Sequence, residues 1–432
     1  MKKEMKFLAL ILALVFALSC MSGCANADAD KPQTSSAEST TTADAAQSAS
    51  SSDADVSTVK IAAFYNLSGA GAQAGEYSRA GAQMAVDDIN AAGGIQSLGG
   101  AKLELVFGDL QSDVNQAKAV AENVLSDGDV SICIGIANSA MAVPILGVTE
   151  RMNIPFLLNG TSTSLTEEGY TTIFRFCPTG VANGQAQVAF LRALNEEMGL
   201  GITKVGSLYE NTEGGISNTE GFKAYVEEAG LEWVYEETFT SNGLTDASNL
   251  VVKMKDSGVQ AFVVTALDQD LKAITEAMNT MDYHPLMIGG GSGILNPSFA
   301  IEMGDAVDGI VSSSSGNWDN TDSSDPDVAK RFEEAYGYFM PEHAVGAYTA
   351  VQCAAAALEQ AGTTDLAALK ETMRGLDIVT VDGRVTFDEK GDNPDAITTM
   401  VQWQKCEDGQ YRTVSVYPAS LAAGTLQYDL VN

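Results

Sequence analysis

The chain has 432 residues, 45% of them hydrophobic, which is long and apolar enough to bury more than one core. Its 57 Asp and Glu against 24 Lys and Arg leave a net charge of −33. A surface so acidic argues against nucleic acid and against an anionic membrane face as partners.

In chain order, Lys2, Lys3 and Lys6 precede the apolar run from Phe7 to Leu18. That run has the length of a secretory signal core and is short for a bilayer span. Met21-Ser22-Gly23-Cys24 follows and resembles a bacterial lipobox, so residues 1–23 are expected to be removed and Cys24 to carry the lipid. Residues 25–55 contain no Val, Ile, Leu, Met or aromatic side chain. Residues 24–56 therefore read as a disordered tether, reaching roughly 30 Å from the outer face of the cell membrane.

From Val59 onward apolar strands alternate with amphipathic helices. Strands are expected at 59–65, 103–107, 130–136, 154–158, 205–209, 233–239, 261–265 and 286–288. Helices are expected at 78–92, 114–126, 140–149, 184–197, 217–229 and 270–281, several of them stopped by glycine as at Ala229-Gly230. The alternation implies α/β architecture, with parallel sheets covered by helices on both faces. About 375 residues exceed one core, so two domains are expected. Ala344–Gly362 fits a buried helix, and Ile378–Val381 with Arg384–Phe387 a hairpin around Asp382-Gly383. Cys133 and Cys353 lie in apolar or alanine-rich surroundings and read as buried free thiols, although spacing leaves a disulfide among Cys133, Cys177, Cys353 and Cys406 open.

No constellation points to catalysis, a cofactor or a metal. There are two histidines, His284 and His343, and no zinc, Cys-x-x-Cys or P-loop pattern. Gly290-Gly291-Ser292-Gly293 lacks the spacing of a nucleophile elbow. Gly69-Ala70-Gly71-Ala72-Gln73-Ala74-Gly75 sits where a dinucleotide turn would, but its third glycine is displaced and the nearest strand-end acid, Asp109, is too distant.

Asn66-Leu67-Ser68-Gly69, the stretch from Ala85-Val86-Asp87-Asp88-Ile89 to Gly94-Ile95, Gly135-Ile136-Ala137-Asn138-Ser139 and Val385-Thr386-Phe387-Asp388 recur in order along the chain. In these motifs the chain resembles the leucine/isoleucine/valine-binding-protein family, type I solute-binding lipoproteins of ABC importers. The resemblance implies a non-enzymatic receptor with two doubly wound lobes joined by a three-crossover hinge. The lobes would be residues 57–178 plus 314–382 and 179–313 plus 383–432. A small carboxylate-bearing solute, foremost a branched-chain or other hydrophobic amino acid, would bind between them and be handed to permease subunits. A binder of des-amino carboxylates or amides, or a sensor partnering a membrane signalling protein, are the alternatives.

The resemblance places the solute carboxylate on Ser139 and on Asn159, Gly160 and Thr161. The residues agree: Ser139 sits at a helix start, Gly160 admits close backbone approach and Thr161 supplies a hydroxyl. As plain structure, Ser139 is an N-cap and Thr161 a turn residue. For the ammonium the family uses a second-lobe carboxylate, where this chain has Ser292. Asp268 is the substitute, or else a cap of the helix starting near Asp270. Ala74 and Gly214 stand where the family has tyrosines, and His343 where it has another aromatic. Tyr77 and Trp318 could restore apolar wall or simply pack.

Overall fold

The computed structural model describes residues 57–427. The signal-like segment, Cys24 and the tether lie outside the described residues. In the first lobe β1 (Thr58–Tyr65), β2 (Lys102–Asp109), β3 (Val130–Gly135), β4 (Phe156–Leu158) and β5 (Ile173–Arg175) form a parallel sheet ordered β2-β1-β3-β4-β5. Helices α1 (Ala72–Ala91), α2 (Val114–Val124) and α3 (Ser139–Met152) connect the strands. Successive side chains of β1 face opposite ways: Ile61 and Ala63 enter one core, Ala62 and Phe64 the other. Every residue of β3 is buried, as a parallel strand covered on both faces requires.

The chain then crosses to a second lobe. It builds α4 (Gly180–Met198), β6 (Lys204–Glu210), α5 (Glu213–Val226), β7 (Glu232–Phe239), α6 (Ser248–Ser257) and β8 (Ala261–Thr265). It continues through α7 (Asp268–Thr280), β9 (Leu286–Gly289), α8 (Pro297–Met303) and β10 (Val311–Ser314). After a return, α9 (Val328–Tyr336), α10 (Glu342–Ala361), α11 (Leu366–Arg374) and the hairpin β11 (Asp377–Thr380) and β12 (Gly383–Thr386) pack on the first lobe. A last crossing adds β13 (Thr399–Lys405) and β14 (Tyr411–Tyr417) antiparallel to the second sheet, ordered β14-β13-β10-β9-β8-β6-β7.

Three details depart from expectation. The hairpin's second strand stays with the first lobe, because Val385 and Phe387 enter its core and Asn393 donates to the Phe176 carbonyl at 3.0 Å. The last crossing therefore lies beyond Asn393 rather than at residue 383. Helix α1 starts at Ala72, six residues before the expected Ser78, since its small first-turn residues give little periodic signal. Strands β5, β10, β13 and β14 carried no apolar run long enough to be expected. Cys133, Cys177, Cys353 and Cys406 are all free thiols.

Two contacts set the position of the elements described below. A Cβ on Gly81 would lie 2.2 Å from the Ala344 carbonyl, so α1 and α10 pack backbone to backbone. Arg175, at the end of β5, is fully buried; its Nε donates to Asp392 at 2.8 Å and its Nη2 to Thr166 Oγ1 at 2.9 Å. Its Nη1 donates to the carbonyl oxygens of Ser162 and Gly160. One guanidinium thus ties the loop after β4 to the segment that leads into the last crossing. Arg175→Met leaves those acceptors unmet and Asp392 unpaired, with an expected stability loss of about 3 kcal/mol or more in urea unfolding at pH 7.

Candidate functional site

The carboxyl ends of the parallel strands in both sheets face one another across a cleft, the usual place for a ligand in doubly wound sheets. The cleft encloses a cavity of about 120 Å³. The first lobe lines it with Asn66, Ala74, Asn138, Ser139, Asn159, Thr161 and the first turn of α10, Glu342 and His343. The second lobe contributes Glu210, Thr212, Gly214, Thr265, Gly290, Gly291 and Asn296. A larger cavity of about 230 Å³ lies at the hinge, beside Gly316, Asp382 and Asn393; its walls are crossover segments rather than strand ends.

Asn138, not Ser139, caps α3: its side chain accepts from the Met141 N–H at 3.3 Å. Ser139 is the first helical residue, and its Oγ accepts from the Ser162 N–H at 3.1 Å. That bond joins the loop after β3 to the loop after β4 and leaves the hydroxyl proton unspent on it. Gly160 does not line the cavity. A Cβ there would lie 3.1 Å from Ser139 Oγ and 3.0 Å from Leu165 Cδ1, so its bareness makes room for Ser139. The loop is held from behind by Arg175 and tied to α4 through the Gly180 N–H, which donates to the Thr161 carbonyl at 2.7 Å. Ser139, Asn159 and Thr161 are thus brought together on one wall.

Asp268 is neither cap nor cavity lining. It opens α7, and its two oxygens accept from Asn296 Nδ2 at 3.0 Å and Ser298 Oγ at 2.9 Å. Burial raises its pKa against those bonds. It orients Asn296, whose Oδ1 is buried without a partner. Ser292 starts a single 3-10 turn after β9, and its side chain lies outside the description. Ala74 and Gly214 line the cavity, and a Cβ on Gly214 would meet only Thr212, at 4.0 Å. Tyr77 stacks edgewise on Tyr338, and Trp318 donates to the Thr413 carbonyl at 2.6 Å, so both serve packing.

Three residues that the sequence reading passed over matter here: Glu210, Glu342 and Asn296. Glu210 ends β6, and its carboxylate accepts from Thr212 Oγ1 at 3.2 Å and from Ser241 Oγ. Burial raises its pKa, with the two hydroxyls opposing. Glu342 Oε1 accepts from the Ser315 N–H at 2.9 Å, while Oε2 is sealed from solvent with no partner. Burial pushes the Glu342 pKa up to about 7, with the N–H and the hydroxyl of Ser315 opposing, and pushes His343 down to about 4. No Lys or Arg is among the described residues lining the cleft. Glu210 was visible as an acid directly after an expected strand, and Glu342 as the neighbour of His343.

The two shifts have opposite consequences. Glu342 holds a proton more tightly when folded, so its contribution to stability falls as pH rises from about 4.5 to 7. His343 is protonated more readily when unfolded, so its contribution grows as pH rises from about 4 to 6.5. For the ligand-free protein, the stability of Glu342→Gln relative to the natural chain should rise between pH 5 and 8, by no more than about 3 kcal/mol, in urea titrations. A pH-independent difference would mean that Glu342 is ionised without penalty.

A sequence model of the periplasmic binding protein family matches residues 58–410. Leu/Ile/Val-binding protein homolog 8 of Brucella abortus (strain 2308) is 28% identical, over 87% of this chain and 94% of its own. The branched-chain amino acid transporter substrate binding protein LivJ of Streptococcus pneumoniae, solved with isoleucine, superposes with a TM-score of 0.71 at 24% identity, covering 83% of this chain and all of its own. An ABC-transporter solute-binding protein of Rhodopseudomonas palustris HaA2, solved with p-hydroxybenzoic acid, superposes with a TM-score of 0.71 at 19% identity, covering 84% and 97%. The chain belongs to the periplasmic binding protein family, as a relative of its Leu/Ile/Val-binding members, and has the type I fold of that family.

Proposed function

We propose that this chain is an exported, lipid-anchored receptor that binds a small amino acid, branched-chain or otherwise hydrophobic, in its interlobe cleft and delivers it to the permease of an ABC importer. The observation that carries the reading is the Ser139 hydroxyl. It is fixed between two strand-end loops at the start of α3, faces the cavity, and keeps its proton for a ligand oxygen. Beside it Thr161 adds a hydroxyl, and the first turn of α3 adds the positive end of a helix dipole, so a carboxylate is favoured on this wall. The names of the relatives and the isoleucine in the streptococcal protein support an amino acid as cargo. Cys24 behind a signal-like segment supports the anchor. Among the described residues no helix is long and apolar enough to cross a membrane.

A carboxylate without an ammonium is the second reading, favoured by the p-hydroxybenzoic acid in the Rhodopseudomonas protein. A thermal-shift screen of residues 56–432 separates the two, using amino acids and their des-amino counterparts. Ligand at a hundred times its dissociation constant stabilises by about 2.7 kcal/mol, a readable shift. Ser139→Ala and Thr161→Ala should each weaken the ligand found there by roughly 1–3 kcal/mol in calorimetric titration. Unchanged affinity in both would mean that the carboxylate lies elsewhere.

A further inference from the structure

Three carboxylates stand in or beside the cleft, and they are not equivalent. Both oxygens of Asp268 and both of Glu210 accept hydrogen bonds from protein side chains. Glu342 alone keeps a buried oxygen, Oε2, without a donor. Buried polar atoms are nearly always paired, and a carboxylate oxygen shut away from water calls for a donor that the protein does not supply. No lysine or arginine lines the cleft among the described residues, and the adjacent His343 is kept neutral by its own burial.

The direction of that oxygen is informative. A Cβ built on Gly291 would come within 4.0 Å of Glu342 Oε2, so the free oxygen faces the glycine-rich turn after β9 across the cleft. The family resemblance implies a second-lobe acid in this turn, where this chain has Ser292. An acidic side chain carried at Gly291 would confront Glu342, and two carboxylates at such range cannot both stay ionised. The small residues after β9 and the acid on α10 are therefore two sides of one arrangement.

We infer that Glu342 receives the positively charged nitrogen of the ligand, approaching from the first turn of α10 on the first lobe instead of from the second lobe. The inference rests on the reading that the ligand carboxylate lies at Ser139 and Thr161, and it fixes the ligand class as an α-amino acid. The geometry suits it. Helix α10 is pressed against the loop after β4, where a Cβ on Gly346 would sit 3.0 Å from Asn159 Nδ2. The carboxylate wall and Glu342 thus belong to one rigid lobe. An ammonium has three donors, and the second lobe offers a further acceptor in Asn296 Oδ1, also buried without a donor. Ligand would dock on the first lobe with both charged ends met, and the second lobe would close over it.

The test uses residues 56–432, titrated by calorimetry with L-valine, L-leucine and L-isoleucine and with their des-amino acids. Glu342→Gln is nearly isosteric and removes a buried charge, and its ligand-free melting temperature checks that it folds. The expected result is that Glu342→Gln weakens the amino acids by about 30- to 100-fold and leaves or improves des-amino binding, while Ser139→Ala weakens both classes. In the natural chain, affinity for the amino acids should fall about tenfold from pH 8 to pH 6, a dependence absent from Glu342→Gln. Amino-acid binding unaffected by Glu342→Gln overturns the inference and spares the carboxylate wall. So does a natural chain that binds only the des-amino acids. Binding of neither class overturns both.

Discussion

A single buried guanidinium underlies the cleft. Arg175 has no solvent to satisfy its donors, so the chain brings acceptors to it: the Asp392 carboxylate, the Thr166 hydroxyl, and two carbonyl oxygens of the loop after β4. With those carbonyls turned toward Arg175, the loop's Ser162 N–H meets Ser139, and Thr161 faces the cavity. Because Asp392 directly precedes the last crossing, the same bond fixes the ligand-facing loop to the segment from which that crossing leaves. A buried ion pair is a weak source of net stability, but it is a strict specifier of geometry when each donor is used.

The electrostatics of the cleft follow from what is missing from it. Carboxylates approach from both lobes, and no lysine or arginine lines it among the described residues. Burial raises the pKa of Glu342 and, behind it at the hinge, of Asp382 above the ordinary carboxylate range, with Asp382 pushed further by Glu342. A purely anionic solute would add to this repulsion, whereas a zwitterion leaves the total charge unchanged and pairs the unpartnered Glu342 oxygen. Charge balance and hydrogen-bond accounting thus point to the same solute chemistry.

Closure depends on contacts that bridge the lobes around this site. The Thr163 N–H donates to Ser217 Oγ at 3.2 Å, Arg412 pairs with Glu333 at 2.6 Å, and Phe339 packs edge-on against Trp403 with ring centroids 5.7 Å apart. The Arg412–Glu333 pair is partly exposed, whereas Phe339 and Trp403 are buried. The lobe interiors are different in kind, with α1 against α10 packed through Gly81 at distances that tolerate no side chain.

The sequence by itself determined the α/β class, two cores, most strands, and the wall carrying Ser139, Asn159 and Thr161, because these rest on local properties: apolar runs, periodicity, glycine stops and motif order. It could not supply β10, whose serines are buried only because neighbouring strands flank them, nor keep β12 with the first lobe, which Val385 and Phe387 decide by packing. Charge placement was the least legible. Asp268 looked like a partner for an ammonium, yet tertiary structure spends both its oxygens on Asn296 and Ser298. Glu342 looked like one acid among 57, and only the fold seals its Oε2 and turns it toward Gly291. Whether an acid is a surface charge or a ligand contact depends on which donors reach it, and those donors come from residues distant in the chain.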